Sequence, residues 1–206
     1  MMELTEAGEL LLRRAMVCAS GLIYWGGVFV QARRVRRKIG RTPNLTPQGT
    51  KERLLWLGWI IVVAGWIGQA FLISGPDAAP LQLIPALTQP FSLLAGFLLI
   101  VLGYLGTLWC YAAMGEAWRI GIDQNSASLI QSGPYRKMRH PIYSFQIVML
   151  AGAALLLPTP VSFGIIALHI FCASIKASDE ERHLTGLHGA DYTAYLGRTG
   201  RFLPKW

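Results

Sequence analysis

Ser132-Gly-Pro-Tyr-Arg-Lys-Met-Arg-His-Pro-Ile-Tyr143 is a polar island in a chain made mostly of Leu, Ile, Val, Ala, Gly and Trp. Within a dozen residues it gathers Arg136, Lys137, Arg139, one histidine and two tyrosines, punctuated by Pro134 and Pro141. Pro141 disfavours helical backbone at His140 and suits the first turn of a new helix. Arg139 and His140 are therefore expected at the mouth of an apolar helix that begins near Pro141. The free N–H groups and positive dipole end of that helix would join the two side chains in facing an anion.

What flanks this corner sets it at a membrane surface. The 206 residues are 53% hydrophobic and only 15% charged, where a soluble domain carries about a quarter charged residues. Apolar runs cover Ala15–Val30, Leu54–Ile73, Phe91–Met114, Pro141–Leu157 and Val161–Ile175. The second run alone is long enough for a bilayer core of about 30 Å. The last two are short and separated only by Pro158-Thr159-Pro160, which reads as a tight helical hairpin. The expected fold is an all-α integral membrane protein of about five transmembrane helices. Residues 1–90 carry the first two helices and a basic loop; residues 91–206 form a core of three helices closed by a polar C-terminal tail.

The net charge of +8 does not read as a nucleic-acid footprint. Much of it is the run Arg33-Arg34-Val35-Arg36-Arg37-Lys38 with Arg41, directly after an apolar segment, where positive charge fixes topology and meets anionic lipid. The 31–53 loop, the 115–140 region and the tail are rich in Lys and Arg, whereas 74–90 and 158–160 have none. That pattern puts the N-terminus outside and the C-terminus inside, with the polar regions on the cytoplasmic side. Arg13 and Arg14 fit this poorly, since they would lie near the outer face. Cys18, Cys110 and Cys172 fall in apolar segments without metal-ligand spacing, and His169 reads as a helix–helix packing residue. The N-terminus, Met1-Met-Glu-Leu-Thr-Glu, lacks the basic region of a cleaved signal peptide.

The 115–140 region also holds Glu116, Arg119 and Asp123. A second polar cluster, Lys176-Ala-Ser-Asp-Glu-Glu-Arg-His-Leu184, continues the last apolar segment out of the membrane. Helical spacing places Lys176 and Glu180 on one face with His183 or Leu184, and turns Glu181 elsewhere. A short hairpin returns the chain to the level it left, so Glu180 is expected to meet Arg139 and His140. The plain alternative is that Glu180 and Glu181 only pair with Arg136 or Arg139, that His140 caps a helix, and that Lys176 snorkels. Gly103, Gly106, Ala151, Gly152 and Ala153 would permit a lateral gap for an apolar tail but suit close helix packing better.

Gly133-Pro-Tyr135, Arg139-His-Pro-Ile-Tyr143, Glu180-Glu181 and the tail Gly189-Ala-Asp-Tyr192-Thr-Ala-Tyr195 with Arg201-Phe-Leu-Pro204 occur in order. Over residues 100–206 these blocks resemble the membrane-embedded isoprenylcysteine carboxyl methyltransferases and phospholipid N-methyltransferases. The resemblance implies S-adenosylmethionine as cofactor, S-adenosylhomocysteine as product, and a cytosolic pocket roofed by the tail. It places Ser128, Leu129, Ile130, Tyr135, Arg139, His140, Pro141, Ile142, Tyr143, Glu180 and Glu181 around the cofactor. It makes Arg139, Glu180 and Lys176 the catalytic set. In the isoprenylcysteine branch an arginine four residues before the glutamate contacts substrate; Lys176 stands there, without the planar two-pronged grip on a carboxylate.

The residues suit such a cofactor on chemical grounds. Arg139, His140 and a helix N-terminus match a carboxylate, Glu180 matches an amine or ribose diol, and Tyr135, Tyr143 or Trp118 offer faces to a sulfonium. An amine acceptor would need a base, for which Glu181, Asp179 or His183 are candidates. The expected partners are a lipidic or lipidated acceptor and membrane lipids, with no nucleic acid and no metal. The alternatives are an NADPH-dependent sterol-type reductase, which would want more cationic groups for its phosphates, and a non-catalytic membrane adaptor.

Overall fold

The computed structural model describes residues 2–40, 47, 49–73, 80–118 and 129–205. Ser128, Arg41, Arg119, Asp123 and residues 74–79 lie outside the described residues. The chain is an all-α membrane protein built from α1 (Met2–Ile39), α2 (Gly49–Leu72), α3 (Pro90–Met114), α4 (Pro141–Leu156), α5 (Pro160–His188) and α6 (Ala190–Arg198). Among the described residues, α1, α2, α3 and α5 are long and apolar enough to cross a membrane; α4 is the shorter apolar helix. At 16 residues α4 is about 24 Å long, less than a bilayer core of about 30 Å.

Proline sets several helix starts. α3, α4 and α5 each carry Pro at their first positions, where the missing N–H has no partner to lose. His140 has φ −125° and ψ 57°, outside the helical region, as a residue before proline should. Thr159 caps α5, its hydroxyl accepting from the Ser162 N–H at 3.1 Å. α5 ends at Gly189, whose φ of +52° is the left-handed backbone that glycine adopts without steric cost.

Two helices run further than the apolar pattern alone indicates. α1 continues through Arg33–Lys38 to Ile39, because Arg and Lys are good helix formers and their charge suits a helix C-terminus. α5 carries the Lys176–Leu184 cluster as continuous helix and extends to His188. It therefore outruns the mouth of α4 and stands Glu180 and Glu181 beside it.

The basic pair that fitted the charge pattern poorly has a structural use. Arg13 is buried and donates to the Leu155 and Leu156 carbonyls at the end of α4, both at 3.3 Å, and to Ser92 Oγ at 3.0 Å. Its Nε bonds Glu9 at 2.9 Å. Arg14 Nε donates to the Ala70 carbonyl near the end of α2 at 2.6 Å. Each arginine neutralises the negative end of a neighbouring helix, so their charges are held by the bundle.

α3 lies along α4, α2 along α5, and α1 along α2. The α3–α4 seam is made by small residues. A Cβ on Gly103 would lie 2.6 Å from the Phe145 carbonyl oxygen, and one on Gly152 2.6 Å from the Gly96 carbonyl oxygen. The glycines thus close this seam, and the open space of the molecule lies elsewhere. Gly103→Ala is expected to lower stability by about 1–3 kcal/mol, because backbone must move to admit the methyl group. Gly68→Ala, with nothing within 4 Å of its Cβ, should be neutral or raise stability by up to about 1 kcal/mol. Thermal melting in one detergent compares the two; equal melting points would mean the seam is looser than described.

Candidate active site

The 3-10 turn Gly133–Arg136 and the segment up to Pro141 are held by the C-terminal tail. The Arg139 and His140 N–H groups donate to the Gly200 and Arg201 carbonyls at 2.8 and 3.0 Å, and the Gly200 N–H returns to Lys137 O at 3.0 Å. Met138 and Gly200 form a single parallel bridge. Tyr195 donates its hydroxyl to the Tyr135 carbonyl at 2.7 Å; burial pushes its pKa up to about 12, so the donor proton stays in place. Ser144, in the first turn of α4, donates to the Phe202 carbonyl at 2.5 Å.

Side chains complete this clasp around Glu181. Its carboxylate receives Arg139 Nε at 2.8 Å, Arg201 Nη2 at 2.5 Å and Arg201 Nε at 3.2 Å, and lies 3.2 Å from His140 Nε2. The expectation that Glu181 turns away is corrected: α5 is set so that both consecutive carboxylates reach His140, one at each ring nitrogen. The plain alternative from the sequence, an acid pairing with Arg139, describes Glu181 well. The anion seated in the corner ahead of α4 is the chain's own carboxylate. Arg139 Nη1 also donates to the Leu196 and Thr199 carbonyls.

Glu180 takes a different position. Its carboxylate lies 3.3 Å from His140 Nδ1 and accepts from the Tyr143 hydroxyl at 3.2 Å. Its side chain keeps 25% of its exposure, against 13% for Glu181. A carboxylate offers about four lone-pair directions, so Glu180 retains accepting capacity toward the space it borders. His140 meets a carboxylate oxygen at both nitrogens, and neutral imidazole has only one N–H to give. Burial works against its charged form, but the bonds and charges of Glu180 and Glu181 prevail, and its pKa is raised above the usual 6.5. Arg139 and Arg201 balance the two carboxylates, and a proton on His140 would leave the corner one positive charge in excess.

Glu180 borders a cavity of about 630 Å³, within the usual range for ligand sites of about 300–1,000 Å³. Leu129, Ile130, Tyr135, Arg139, His140, Ile142, Tyr143, Lys176 and Glu180 all lie on its wall, while Pro141 and Glu181 stand behind it. Trp118 and His183 also border it; Asp179 does not, and pairs with Lys51 at 2.6 Å. Tyr192 and Tyr195 of α6 form part of its cover.

The far wall comes from the N-terminal half, whose role the sequence leaves open. α1 contributes Tyr24, Trp25 and Val28, and α2 contributes Glu52 and the face through Trp56, Trp59 and Val63. Trp59 stacks on Tyr143, with centroids 6.0 Å apart and planes at 20°. His169 packs edge-on against the same indole at 4.8 Å, in line with a packing role. Lys176 Nζ lies 3.5 Å from Glu52 Oε1. A lone acid in an otherwise basic loop was the available signal for Glu52; nothing local marked Tyr24, Trp25 or Trp59.

The comparison with known families falls on this part of the chain. Residues 91–191 match the family model described as phospholipid methyltransferase. Over that half the chain belongs to this family of integral membrane methyltransferases. The matched span holds the α3–α4 seam, the His140 mouth and both glutamates, but not α1, α2 or the end of the tail. The chain is also 26% identical, over 113 residues, to the nickel-cobalt-cadmium resistance protein NccN of Alcaligenes xylosoxydans xylosoxydans. That similarity covers 55% of this chain and 50% of the relative, so the chain matches about half the length of that protein. Among the described residues no group of three or more His, Cys, Asp or Glu is placed to hold a metal ion.

Proposed function

We propose that the protein transfers a methyl group from S-adenosylmethionine to a lipidic or lipid-anchored acceptor at the membrane–cytosol interface, in the manner of the isoprenylcysteine carboxyl methyltransferases. The observation that carries this reading is the position of Glu180. It stands beside His140 and Tyr143 on the wall of the cavity, within the span shared with a methyltransferase family.

The residues present fit the cofactor's chemistry. Glu180 would accept hydrogen bonds from its amine or ribose hydroxyls. The faces of Tyr143, Trp59 and Tyr135 would favour its cation by about 0.5–2 kcal/mol. The basic side chains of the corner suit its carboxylate, even though Arg139 Nε and Nη1 are already engaged. When bound, the cofactor supplies an electrophilic methyl group.

The chain's own contribution is alignment and exclusion of water. The clasp fixes His140 and Arg139, the stacked Trp59–Tyr143 pair fixes one wall, and α6 covers the opening toward the tail. Holding two reactants in line supplies several kcal/mol without any strong base. A carboxylate or thiolate acceptor needs no deprotonation at the site; for an amine, His183 borders the cavity as a candidate base.

The second reading, phospholipid N-methylation, is favoured by a specific observation. Lys176 is paired with Glu52, so it does not stand ready to grip a substrate carboxylate. Thermal stabilisation of the purified protein tests the cofactor assignment. S-adenosylhomocysteine should raise the melting temperature by several degrees and NADP should not. Stabilisation by NADP alone would replace this reading with the reductase, and by neither with the adaptor.

A further inference from the structure

Glu52 of α2 and Lys176 of α5 meet on the cavity wall, and the fold sets them there. A Cβ on Gly58 would lie 2.6 Å from Cys172 Sγ, and one on Gly65 2.9 Å from Ile165 Cδ1, so glycine lets α2 lie close on α5. Beside the pair, Lys51 and Asp179 form a second bridge between the same two helices at 2.6 Å. Lys176 Nζ stands 3.5 Å from Glu52 Oε1, with 15% of the lysine side chain and 32% of the glutamate exposed, and both residues line the cavity. An acid in the first turn of α2 suits the helix dipole, but that leaves the lysine opposite it unexplained. From Glu52 the same face of α2 runs on through Leu55, Trp56, Trp59 and Val63, all of them lining the cavity. This stripe is about 16 Å long. A charged end followed by an apolar wall matches an amphiphile whose head lies at Lys176 and whose chain lies along α2.

Charge decides which head that wall admits. Among the described residues the ion partner of Lys176 is Glu52, while Glu180, one turn further along α5, is turned to His140 and Tyr143. An anionic head group drawn to the ammonium must displace the Glu52 carboxylate. It would then lie beside that carboxylate, where like charges repel. An uncharged head group meets neither obstacle.

We infer that Glu52 is a specificity-determining residue of the acceptor site: by occupying the Lys176 ammonium it sets the cavity against anionic head groups and in favour of uncharged ones. The inference rests on the methyl-transfer reading only in calling the occupant an acceptor. It makes α2, which lies outside the span matched to the methyltransferase family, part of the substrate site.

The test uses the full chain in phosphatidylcholine nanodiscs and two radiolabelled probes of equal chain length, tetradecanoate and tetradecanamide. Each variant is compared with the wild type for the same probe, so the partition of that probe into lipid cancels. Glu52→Gln keeps the shape and removes the charge; it should tighten tetradecanoate binding about five- to thirtyfold. Tetradecanamide binding should move by less than about twofold. A glutamate that only anchored the start of α2 would give no gain on removal. Glu52→Ala should act in the same direction, so one poorly folding variant does not decide the matter. Adding Lys176→Met to Glu52→Gln should erase the gain. No gain for tetradecanoate in either single variant, an equal gain for the amide, or a gain that survives without the lysine overturns the inference. Binding of S-adenosylhomocysteine to the wild-type preparation is read separately: its absence strikes the cofactor assignment, and the probe ratios decide the role of Glu52 in either case.

Discussion

Glu181→Gln is expected to lower stability by about 3 kcal/mol and to free the C-terminal tail to proteases, before any effect on chemistry is considered. The substitution removes the negative charge shared by Arg139, Arg201 and His140 and turns one of the two acceptor oxygens into an N–H donor that faces them. Arg139 and His140 are well shielded, and stripping one partner from a buried ion pair costs about 3–5 kcal/mol because the remaining charge is stranded. Arg201 is 37% exposed, so Arg201→Met should cost no more than about 1 kcal/mol. Thermal melting with limited proteolysis reads both. If Glu181→Gln melts like the wild type, the backbone bonds between residues 137–140 and 200–205 suffice to hold the tail. The His140 part of the clasp has a definite pH sign. Its folded-state pKa is raised, so its contribution is fully present below about 6.5. It is lost as pH rises through the raised value. Tail protection should therefore weaken toward alkaline pH, and in Glu181→Gln that pH dependence should shrink.

Glu180→Gln is expected to do the reverse. Its carboxylate faces the cavity and is bonded only to His140 and Tyr143 among the contacts described. Melting of the free protein should stay close to wild type. Affinity for S-adenosylhomocysteine should fall about ten- to a hundredfold, the equivalent of one or two charge-assisted hydrogen bonds. Calorimetric titration in detergent measures it. Wild-type affinity in this variant would return Glu180 to a purely structural role. The two neighbouring glutamates thus make a paired experiment, one separating the clasp from the other's part in the pocket.

Sequence and structure agree most closely where local chemistry acts alone. Pro141 forces His140 out of the helical region and begins α4, as an X-Pro pair at a helix start must. The Pro158-Thr159-Pro160 turn reverses the chain because Thr159 caps α5 from its own hydroxyl. Agreement is partial where a helix carries two adjacent residues of one type. Spacing alone separates Glu180 from Glu181 by a third of a turn, yet His140 has a nitrogen on each side of its ring and reaches both. The clasp uses Arg201, which belonged to a quoted motif but had no assigned partner, because its distance of 20 residues from Glu181 exceeds anything helical periodicity can relate.

The amino-acid sequence by itself determined that this protein is a lipid-embedded helical bundle with a polar mouth at Pro141 and acids that return to it. Those properties follow from hydropathy, proline and helical repeat, which act within a few residues. Only the tertiary structure decided that Glu181 is spent inside the clasp while Glu180 faces the cavity. It also decided that Arg13 and Arg14 cap other helices and that Tyr24, Trp25 and Glu52 complete the cavity wall. Each of these depends on where one apolar helix rotates and slides against another. Such packing is set by close contacts such as those at Gly96, Gly103 and Gly152, and a pattern of hydrophobic residues that is apolar on every side leaves that rotation open.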